Sequence, residues 1–267
     1  ILISNSEFTT WHKGLIVSQS QNVEILENEF HSLRSDGMNF AEVQSVLIED
    51  NYVHDFVQSE GSSDHMDMIQ VWTTGTDSPS TDITSRNNIL DIGDGDMTQA
   101  IFMRNGVVDT GLAGKEMFYQ NILIEDNVIL NAHSHGITVG EADGVVIQNN
   151  TLLSIDSADE RFFATPAINV SSDATSVTIE NNAVGAVNGN EAGSGWSVVN
   201  NAYIQNTNPQ GVGYYGNLFF ESSQNAGIGG YVVVPGSMLD TLSAGASRLI
   251  LNTTPATLTP LFDVFSN

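Results

Sequence analysis

The chain has 267 residues, with 32 aspartates and glutamates against seven lysines and arginines, so its formal net charge is −25. Such an acidic surface repels nucleic acid and anionic membranes, and we expect neither as a partner. The chain contains no cysteine and no run of about eighteen apolar residues, which excludes disulfides, thiolate metal sites, cysteine nucleophiles and a membrane-spanning helix.

The composition points to a location outside the cell. An acidic surface suits a protein in salty water, where screening weakens self-repulsion, or a protein that binds calcium. The first residues, ILISNSEFTTWHKG, lack the basic and long apolar regions of a signal peptide, which predicts that any export signal has been removed. We therefore expect a soluble protein that is secreted or held on a bacterial cell surface.

A phrase built around an asparagine recurs along the chain. It reads VEILENEF from residue 23, VLIEDNYV from 46, DITSRNNIL from 82, ILIEDNVIL from 122, VVIQNNTLL from 145 and VTIENNAV from 177. Apolar and polar residues alternate within each phrase, which indicates strands. The aligned asparagines are Asn28, Asn51, Asn88, Asn127, Asn150 and Asn182.

A second strand precedes each phrase, and no helical pattern separates the two. Two or three strands per repeat predict an all-β fold, a single-stranded right-handed parallel β-helix with inserted loops, in which each repeat forms one rung of a solenoid. Stacked asparagines would then satisfy buried backbone groups along the axis. A β-propeller would need blades of about forty residues, and a leucine-rich repeat would need leucines at fixed spacing; neither pattern is present.

The asparagine phrase also suggests how the chain is organised. We expect residues 1–205 to form the rungs of the β-helix, because the phrase recurs only in this part. Residues 206–267 are predicted to form terminal rungs and a C-terminal capping segment of the same domain, since an open rung would expose unpaired strand edges. No linker rich in proline, serine or charge divides the chain.

The strand before each phrase carries the residues that indicate function. These strands read KGLIVS from residue 13, DGMNFA from 36, DMIQVW from 67, QAIFMR from 99, HGITVG from 135 and PAINVS from 166. Their third and fifth residues are predicted to point inward, and their first, fourth and sixth residues to line the outer face. Since neighbouring rungs lie about 4.8 Å apart, the outward residues form three columns: Lys13, Asp36, Asp67, Gln99 and His135; Ile16, Asn39, Gln70, Phe102 and Thr138; and Ser18, Ala41, Trp72, Arg104 and Gly140.

This outer face combines carboxylates, amides, an imidazole, a guanidinium and an indole, which is typical of a carbohydrate-binding cleft. Sugar hydroxyls bond to planar polar groups, and sugar ring faces stack on aromatic side chains. A long strip of this kind favours a polymer over a small metabolite. The predicted substrate-binding residues are Lys13, Arg34, Asp36, Asn39, Gln70, Trp72 and Gln99.

Two carboxylates and two histidines are candidates for the chemistry. Asp36 and Asp67 lie on adjacent predicted rungs, about 5 Å apart. Like charges at this distance raise the pKa of one carboxyl or hold a cation between them; the alternative is a pair of solvated surface aspartates. His135, two rungs from Asp67, is the first candidate for proton transfer near neutral pH, and His65 is the second.

Basic residues are rare in this chain, yet Lys13, Arg34 and Arg104 fall on or beside the strip, and Lys115 lies in a nearby insertion. This concentration indicates an anionic substrate. A guanidinium binds a carboxylate through two parallel hydrogen bonds. We therefore expect Arg104, with Lys115, to bind the carboxylate of a uronate sugar.

The segment DIGDGD, residues 91–96, places oxygen ligands around glycines. Asp91, Asp94 and Asp96 are candidate ligands for calcium, which is the one cofactor that the sequence suggests. The segment matches no complete calcium-loop pattern, so a plain acidic turn remains open.

The rungs, the IEDN and IENN phrases and the polar strip resemble the right-handed β-helix proteins that act on acidic polysaccharides, especially mannuronan C-5 epimerases and alginate-type lyases. The resemblance spans about residues 10–200. Epimerases of that family carry an Asp-Pro-His-Glu or Asp-Pro-His-Asp motif on a rung strand. The nearest segment here is DHMD, which runs from Asp64 to Asp67 without the proline.

The resemblance implies a reaction in which the uronate carboxylate is neutralised and a base removes the proton at C5. The carbanion then expels the C4 oxygen, as in a lyase, or is reprotonated on the other face, as in an epimerase. The leading hypothesis is an extracellular enzyme of this kind acting on an acidic polysaccharide such as alginate. His135 would be the base, Asp67 and His65 would support proton transfer, and Arg104 with Lys115 would bind the carboxylate.

Two other functions remain open. In a β-helical glycoside hydrolase, Asp36, Asp64 and Asp67 would supply the acid and base carboxylates. In a non-catalytic adhesin the same strip would bind carbohydrate without changing it, because the fold alone does not determine function. The sequence leaves the oligomeric state open.

Overall fold

The structure is a computed structural model, and it describes residues 1–62, 65–155, 164–221 and 231–249. Strands dominate these residues, and neighbouring strands pair in parallel in two sheets. The prediction of an all-β fold with parallel strands is therefore confirmed. Among the described residues, no helix has the length and apolar character needed to cross a lipid bilayer.

The larger sheet has thirteen strands. They are β1 (Leu2–Ser4), β3 (Leu15–Leu26), β5 (Met38–Glu49), β7 (Asp67–Trp72), β8 (Thr81–Arg86), β10 (Gln99–Arg104), β11 (Tyr119–Glu125), β13 (His135–Val139), β14 (Ala142–Gln148), β16 (Ala167–Val170), β17 (Thr175–Glu180), β19 (Val187–Asn188) and β20 (Trp196–Val199).

The smaller sheet has eight strands. They are β2 (Glu7–Thr9), β4 (Glu29–His31), β6 (Tyr52–His54), β9 (Ile89–Asp91), β12 (Val128–Asn131), β15 (Thr151–Ser154), β18 (Ala183–Val184) and β21 (Ala202–Tyr203). The described helices are short: α1 (Gly106–Asp109), α2 (Tyr215–Leu218) and α3 (Met238–Leu242), with 3-10 turns at Lys115–Met117 and Ser247–Leu249.

The larger sheet forks at β5. The first residues of β5 pair with β7, where Met38 lies opposite Ile69, and its last residues pair with β8, where Val46 lies opposite Ile83. We call the series β5, β7, β10, β13, β16 and β19 the first branch, and the series β5, β8, β11, β14, β17 and β20 the second branch. From β7 to β21 the chain visits the first branch, the second branch and the smaller sheet in the same order each time.

The repeated asparagines form one buried ladder. The side-chain oxygen of Asn127 accepts hydrogen bonds from both the backbone N–H and the side-chain amide of Asn88, each at 3.0 Å. The residue before each ladder asparagine has a positive φ, for example +53° at Asp126, a conformation that short polar side chains tolerate better than most others. The local sequence, an acidic or amide residue followed by asparagine, therefore suits both the turn and the ladder.

Apolar residues of both branches face the core, as the alignment predicted. Ile69, Val71, Ile101 and Met103 on β7 and β10 are all buried. Equivalent residues of successive strands lie opposite one another, as Ile101 does with Ile137. The apolar side chains stack in register, and their opposite faces are left to carry polar groups.

The segment after β21 packs against the side of the smaller sheet. Tyr215, Leu218 and Leu239 from its helices form a second apolar cluster with residues such as Leu130 and Leu153 of the smaller sheet. The amide of Ala246 donates a hydrogen bond to Thr151 Oγ1 at 2.9 Å. The predicted C-terminal cap extends to residue 267, and its last part, residues 250–267, lies outside the described residues.

Candidate functional site

The strand register brings the predicted columns together on the outer face of the first branch. Gln99 lies opposite Asp67, and Phe102 lies opposite both Gln70 and Thr138 on its two sides. Trp72 and Arg104 are likewise opposite each other. The lateral order of these side chains is the one that the alignment predicted.

The depth of the first column differs from the prediction. Asp36 is 2% exposed, Asp67 is 0% exposed and Gln99 is 9% exposed, although all three were expected on the open face. Lys13 forms an ion pair with Asp36, and His65 Nδ1 lies 2.9 Å from Asp67 Oδ2. These two side chains lie over the carboxylates, so the reading of Asp36 and Asp67 as solvated surface residues is wrong.

Asn39 shows the same effect in the second column. It was predicted to face the substrate, but it is 2% exposed, and its side-chain nitrogen has no hydrogen-bond partner among the described residues. Gln70, one strand away, is only partly buried and donates a hydrogen bond to Asp67 Oδ2 at 2.7 Å. Gln70 is therefore accessible to a ligand on this face, whereas Asn39 is not.

Asp36, His65 and Asp67 form a compact cluster at one end of the face. Each offers one ligand-type atom, and these three atoms lie within 4.8 Å of one another. The backbone N–H of Asp67 also donates to Asp36 Oδ1 at 3.2 Å. Burial raises the pKa of the Asp67 carboxyl, while the hydrogen bond to Asp67 raises the pKa of the His65 ring.

His135 lies on the other side of Phe102 from His65. The Phe102 ring is 5.1 Å from the His135 ring and 6.4 Å from the His65 ring, measured between centroids. His135 Nδ1 lies 2.8 Å from Thr138 Oγ1. Burial lowers the pKa of His135, so the imidazole is neutral near neutral pH and can accept a proton.

His133 contacts His135 through both its ring and a hydrogen bond. The rings of His133 and His135 stack with centroids 5.1 Å apart, and His133 Nδ1 accepts a hydrogen bond from the backbone N–H of His135 at 3.0 Å. Burial lowers the pKa of His133 to about 4. The pair is therefore uncharged near pH 7, which keeps His135 free of a positive neighbour.

An open cleft of about 420 Å³ adjoins His135. The outer column of Gln70, Phe102 and Thr138 continues through it to Asn169 and Asn188. Asn188 Nδ2 donates to Asn169 Oδ1 at 2.9 Å. The alignment contained a signal for Asn169, the fourth residue of PAINVS, whereas Asn188 lies in a two-residue strand without the repeated phrase.

The predicted cationic residues are held in different places. Arg104 Nε donates to Asp109 Oδ2 at 2.8 Å, at the rim of the cleft. The pKa of Asp143, on β14 of the second branch, is lowered mainly by hydrogen bonds from Thr175 and Ser176. The charge of the exposed Lys115 lowers it further, by a smaller amount. The structure thus places Arg104 beside the cleft and Lys115 near the second branch.

Arg34 and Trp72 lie at the margins of the face. Arg34 is exposed and donates to the carbonyl oxygen of Thr10 at 3.4 Å. Trp72 is partly buried beside Arg104. Asp64, the third carboxylate of the hydrolase hypothesis, lies outside the described residues.

The acidic turn at residues 91–96 does not assemble the predicted calcium ligands. Asp91 Oδ1 accepts a hydrogen bond from the backbone N–H of Gly93 at 2.9 Å, and Asp96 Oδ2 accepts one from the backbone N–H of Gln58 at 2.8 Å. Asp94 is exposed. The carboxylate of Asp91 therefore binds the backbone of its own turn, and that of Asp96 binds the backbone of the segment that contains Gln58. Within the described part of the chain, Asp36, His65 and Asp67 are the one set of three or more acidic or histidine residues close enough to share an ion.

Comparison of the sequence with models of known protein families and with curated proteins, and of the fold with solved structures, finds no match. The chemistry of the outer face is therefore the basis for a functional proposal.

Proposed function

We propose that the chain is a secreted or cell-surface enzyme that removes the C5 proton of a uronate residue in an acidic polysaccharide such as alginate. The observation that carries this proposal is a neutral, partly buried histidine, His135, beside an aromatic ring in an open polar cleft. Lyase and C5-epimerase activity both begin with this proton transfer.

We also propose that the fold is a single-stranded right-handed parallel β-helix. The repeating order of first branch, second branch and smaller sheet supports a coil, and the buried asparagine ladder supports stacked rungs. Right-handed crossovers between parallel strands are strongly favoured in general. A coil of this kind offers a long, straight face, which suits a polymer.

His135 is suited to act as the base. Burial lowers its pKa, so it is deprotonated in the neutral range, and the hydrogen bond between His135 Nδ1 and Thr138 Oγ1 leaves Nε2 as the nitrogen for a ligand. Phe102 provides an apolar surface on which a sugar ring can stack. Amide and hydroxyl groups of Gln70, Thr138 and Asn169 lie along the same column to receive sugar hydroxyls.

The substrate carboxylate must be neutralised before C5 becomes acidic. Arg104, at the rim of the cleft, is the candidate guanidinium for this task, and a uronate would compete with Asp109 for it. Asp67 is fully buried beneath His65, so it does not contact the substrate itself. We therefore propose that the cluster of Asp36, His65 and Asp67 sets the electrostatic charge beside the sugar, and that His135 removes the proton.

The two outcomes after proton removal differ in where the electron pair goes. In a lyase it forms the C4–C5 double bond as the C4–O bond breaks, and the leaving oxygen takes up a proton. In an epimerase it accepts a proton on the opposite face of C5, so that the polymer keeps its length. Both reactions need one base on one face, which is the role proposed for His135.

The test is incubation of the protein with alginate, pectate and glycosaminoglycans, with ultraviolet absorbance reporting the unsaturated uronate and proton NMR reporting C5 inversion. We expect either signal to fall by about 10²- to 10⁴-fold in His135→Gln, the range typical of general acid–base catalysis. The matched control is His54→Gln, which removes a partly buried histidine from the smaller sheet.

Other outcomes would point to other functions. New reducing ends without ultraviolet absorbance would indicate the glycoside hydrolase. Polysaccharide binding that survives His135→Gln, with neither cleavage nor inversion of any polymer, would indicate a binding module and would overturn the enzymatic proposal. Equal activity in wild type and His135→Gln would remove His135 from the mechanism.

A further inference from the structure

Two buried oxygen atoms at the Asp36, His65 and Asp67 cluster lack a hydrogen-bond donor. Asp67 Oδ1 and Gln99 Oε1 accept no hydrogen bond from any described residue. Asp67 and Gln99 lie opposite each other on neighbouring strands, and Asp67 is 0% exposed. Buried acceptors are almost always satisfied in folded proteins, so this pair indicates a positively charged or donating partner.

We propose that Asp36, His65 and Asp67 bind a divalent transition-metal cation such as Zn²⁺ or Mn²⁺. A carboxylate oxygen from each aspartate and one imidazole nitrogen form the ligand set, and these atoms already lie within 4.8 Å of one another. Metal–ligand bonds of about 2.0–2.2 Å require the three atoms to move closer together around one ion. The most exposed of the three, His65, has the freedom to make that adjustment.

The ligand types favour a transition metal over calcium. Calcium takes six to eight oxygen ligands, whereas imidazole with carboxylates suits zinc, manganese and iron. Three protein ligands leave a coordination position open, as in catalytic zinc sites. His65 is 63% exposed, so that open position can face the solvent.

Lys13 competes with the metal ion. Its ammonium forms an ion pair with Asp36 Oδ2, one of the oxygens available to the metal. Metal binding therefore displaces Lys13 from Asp36 or leaves Asp36 to bind through its other oxygen. Replacing Lys13 with an uncharged residue removes the competitor and strengthens metal binding.

Metal binding can be measured without any substrate. Chelator-treated protein is titrated separately with ZnCl₂, MnCl₂ and CaCl₂ by isothermal titration calorimetry. The variants are His65→Gln, Asp67→Asn and Lys13→Met. The control is His54→Gln, because the His54 ring of the wild type also lies beside two carboxylates, those of Glu29 and Asp55. Thermal unfolding checks that Asp67→Asn is folded, and the exposed His65→Gln remains informative if it is not.

We expect one site per chain for Zn²⁺ or Mn²⁺ in the wild type, weakened at least about tenfold in His65→Gln and unchanged in His54→Gln. Lys13→Met should bind more tightly than the wild type. Absence of binding, equal binding in His65→Gln and His54→Gln, or a preference for Ca²⁺ that is insensitive to His65→Gln would each overturn the proposal. Metal binding is tested without substrate, so failure of the titration leaves the His135 assay unaffected and the two proposals can fail separately. Any contribution of the bound metal to the charge beside the sugar rests on the proposed function.

Discussion

Replacing Asn127 with alanine should destabilise the protein strongly. Its side chain makes four hydrogen bonds, accepting from the backbone and side-chain nitrogens of Asn88 and donating to the Ser85 carbonyl and to Asn150 Oδ1, each at 3.0 Å. All of them are buried, and Asn127 is 0% exposed. The backbone N–H of Asn88 would lose its acceptor in a position that water does not reach.

The size of the effect follows from this geometry. A typical hydrogen bond contributes about 1 kcal/mol net, and a buried group left without a partner costs about 1–3 kcal/mol. We therefore expect Asn127→Ala to lower the free energy of unfolding by about 3–5 kcal/mol. Denaturant unfolding followed by far-ultraviolet circular dichroism measures this, provided that the slope against denaturant is unchanged.

The control is Asn201, at the C-terminal end of the same ladder. Its side chain also makes four hydrogen bonds, with Asn182, Ile179 and Val199, but the site is only partly buried. Water can replace these bonds, so Asn201→Ala should cost only about 1 kcal/mol. Equal losses in the two variants would show that burial of the ladder is not what makes its hydrogen bonds stabilising, and the reasoning would fail.

Three further predictions concern stability and pH. Burial lowers the pKa of His54, but hydrogen bonds to two carboxylates raise that pKa overall. The contribution of His54 to folding stability is therefore complete below the pKa of about 6.5 in the unfolded chain, and it declines as the pH rises through the pKa of the folded protein. His54→Gln should therefore lose more stability near pH 5.5 than near pH 8.5, as judged by denaturant midpoints at about these pH values; a constant loss would contradict this. Gly37→Ala should destabilise the protein by about 1–3 kcal/mol, because the added carbon would lie 2.4 Å from the Met68 carbonyl oxygen. The control is Gly106→Ala, in which the nearest atom to the added carbon would be 3.5 Å away. This control should unfold like the wild type in a thermal scan. Since burial lowers the pKa of His135, uronate activity should persist as pH falls below about 6.5, and a rate that halves near the ordinary histidine pKa would refute the neutral base.

Several features of the site were open to sequence reasoning because they depend on the repeat. Aligning the strands on their inward residues places Asp67 beside Gln99 and Phe102 beside Thr138, and the strand register agrees. A parallel ladder repeats one residue level from strand to strand, so a correct alignment predicts lateral neighbours. Asn169 was open to the same reasoning, since it occupies the same position in its strand.

Depth and charge could not be predicted in this way. Which side chains cover the start of a strand depends on loops and long side chains from other repeats, and here Lys13 and His65 lie over Asp36 and Asp67. The opposite pKa shifts of His65 and His135 also depend on such contacts, because one ring bonds to a carboxylate and the other is buried without one. Neither the burial of these side chains nor their pKa shifts can be read from the alternation of apolar and polar residues along a strand.

The acidic turn shows why composition alone misleads about metal sites. Oxygen-rich sequence around glycines made Asp91, Asp94 and Asp96 candidate calcium ligands, but Asp91 accepts a hydrogen bond from the backbone of Gly93 and Asp96 accepts one from the backbone of Gln58. The cluster that the structure does assemble joins Asp36, which precedes β5, with His65 and Asp67 at the start of the neighbouring β7. The sequence predicted that Asp36 and Asp67 could hold a cation between them, and the structure adds His65 beside Asp67 as a third residue of the ligand type.

The amino-acid sequence by itself determined the parallel strands, the asparagine ladder and the lateral order of the outer columns, because each follows from a local pattern repeated at every turn of the chain. Only the tertiary structure decided that Asp36 and Asp67 are buried, that His135 lies in a cleft extended by Asn169 and Asn188, and that the ligand-type atoms converge at His65. Burial and convergence are properties of how separate repeats pack against one another, and burial in turn raises the pKa of Asp67 and lowers the pKa of His135.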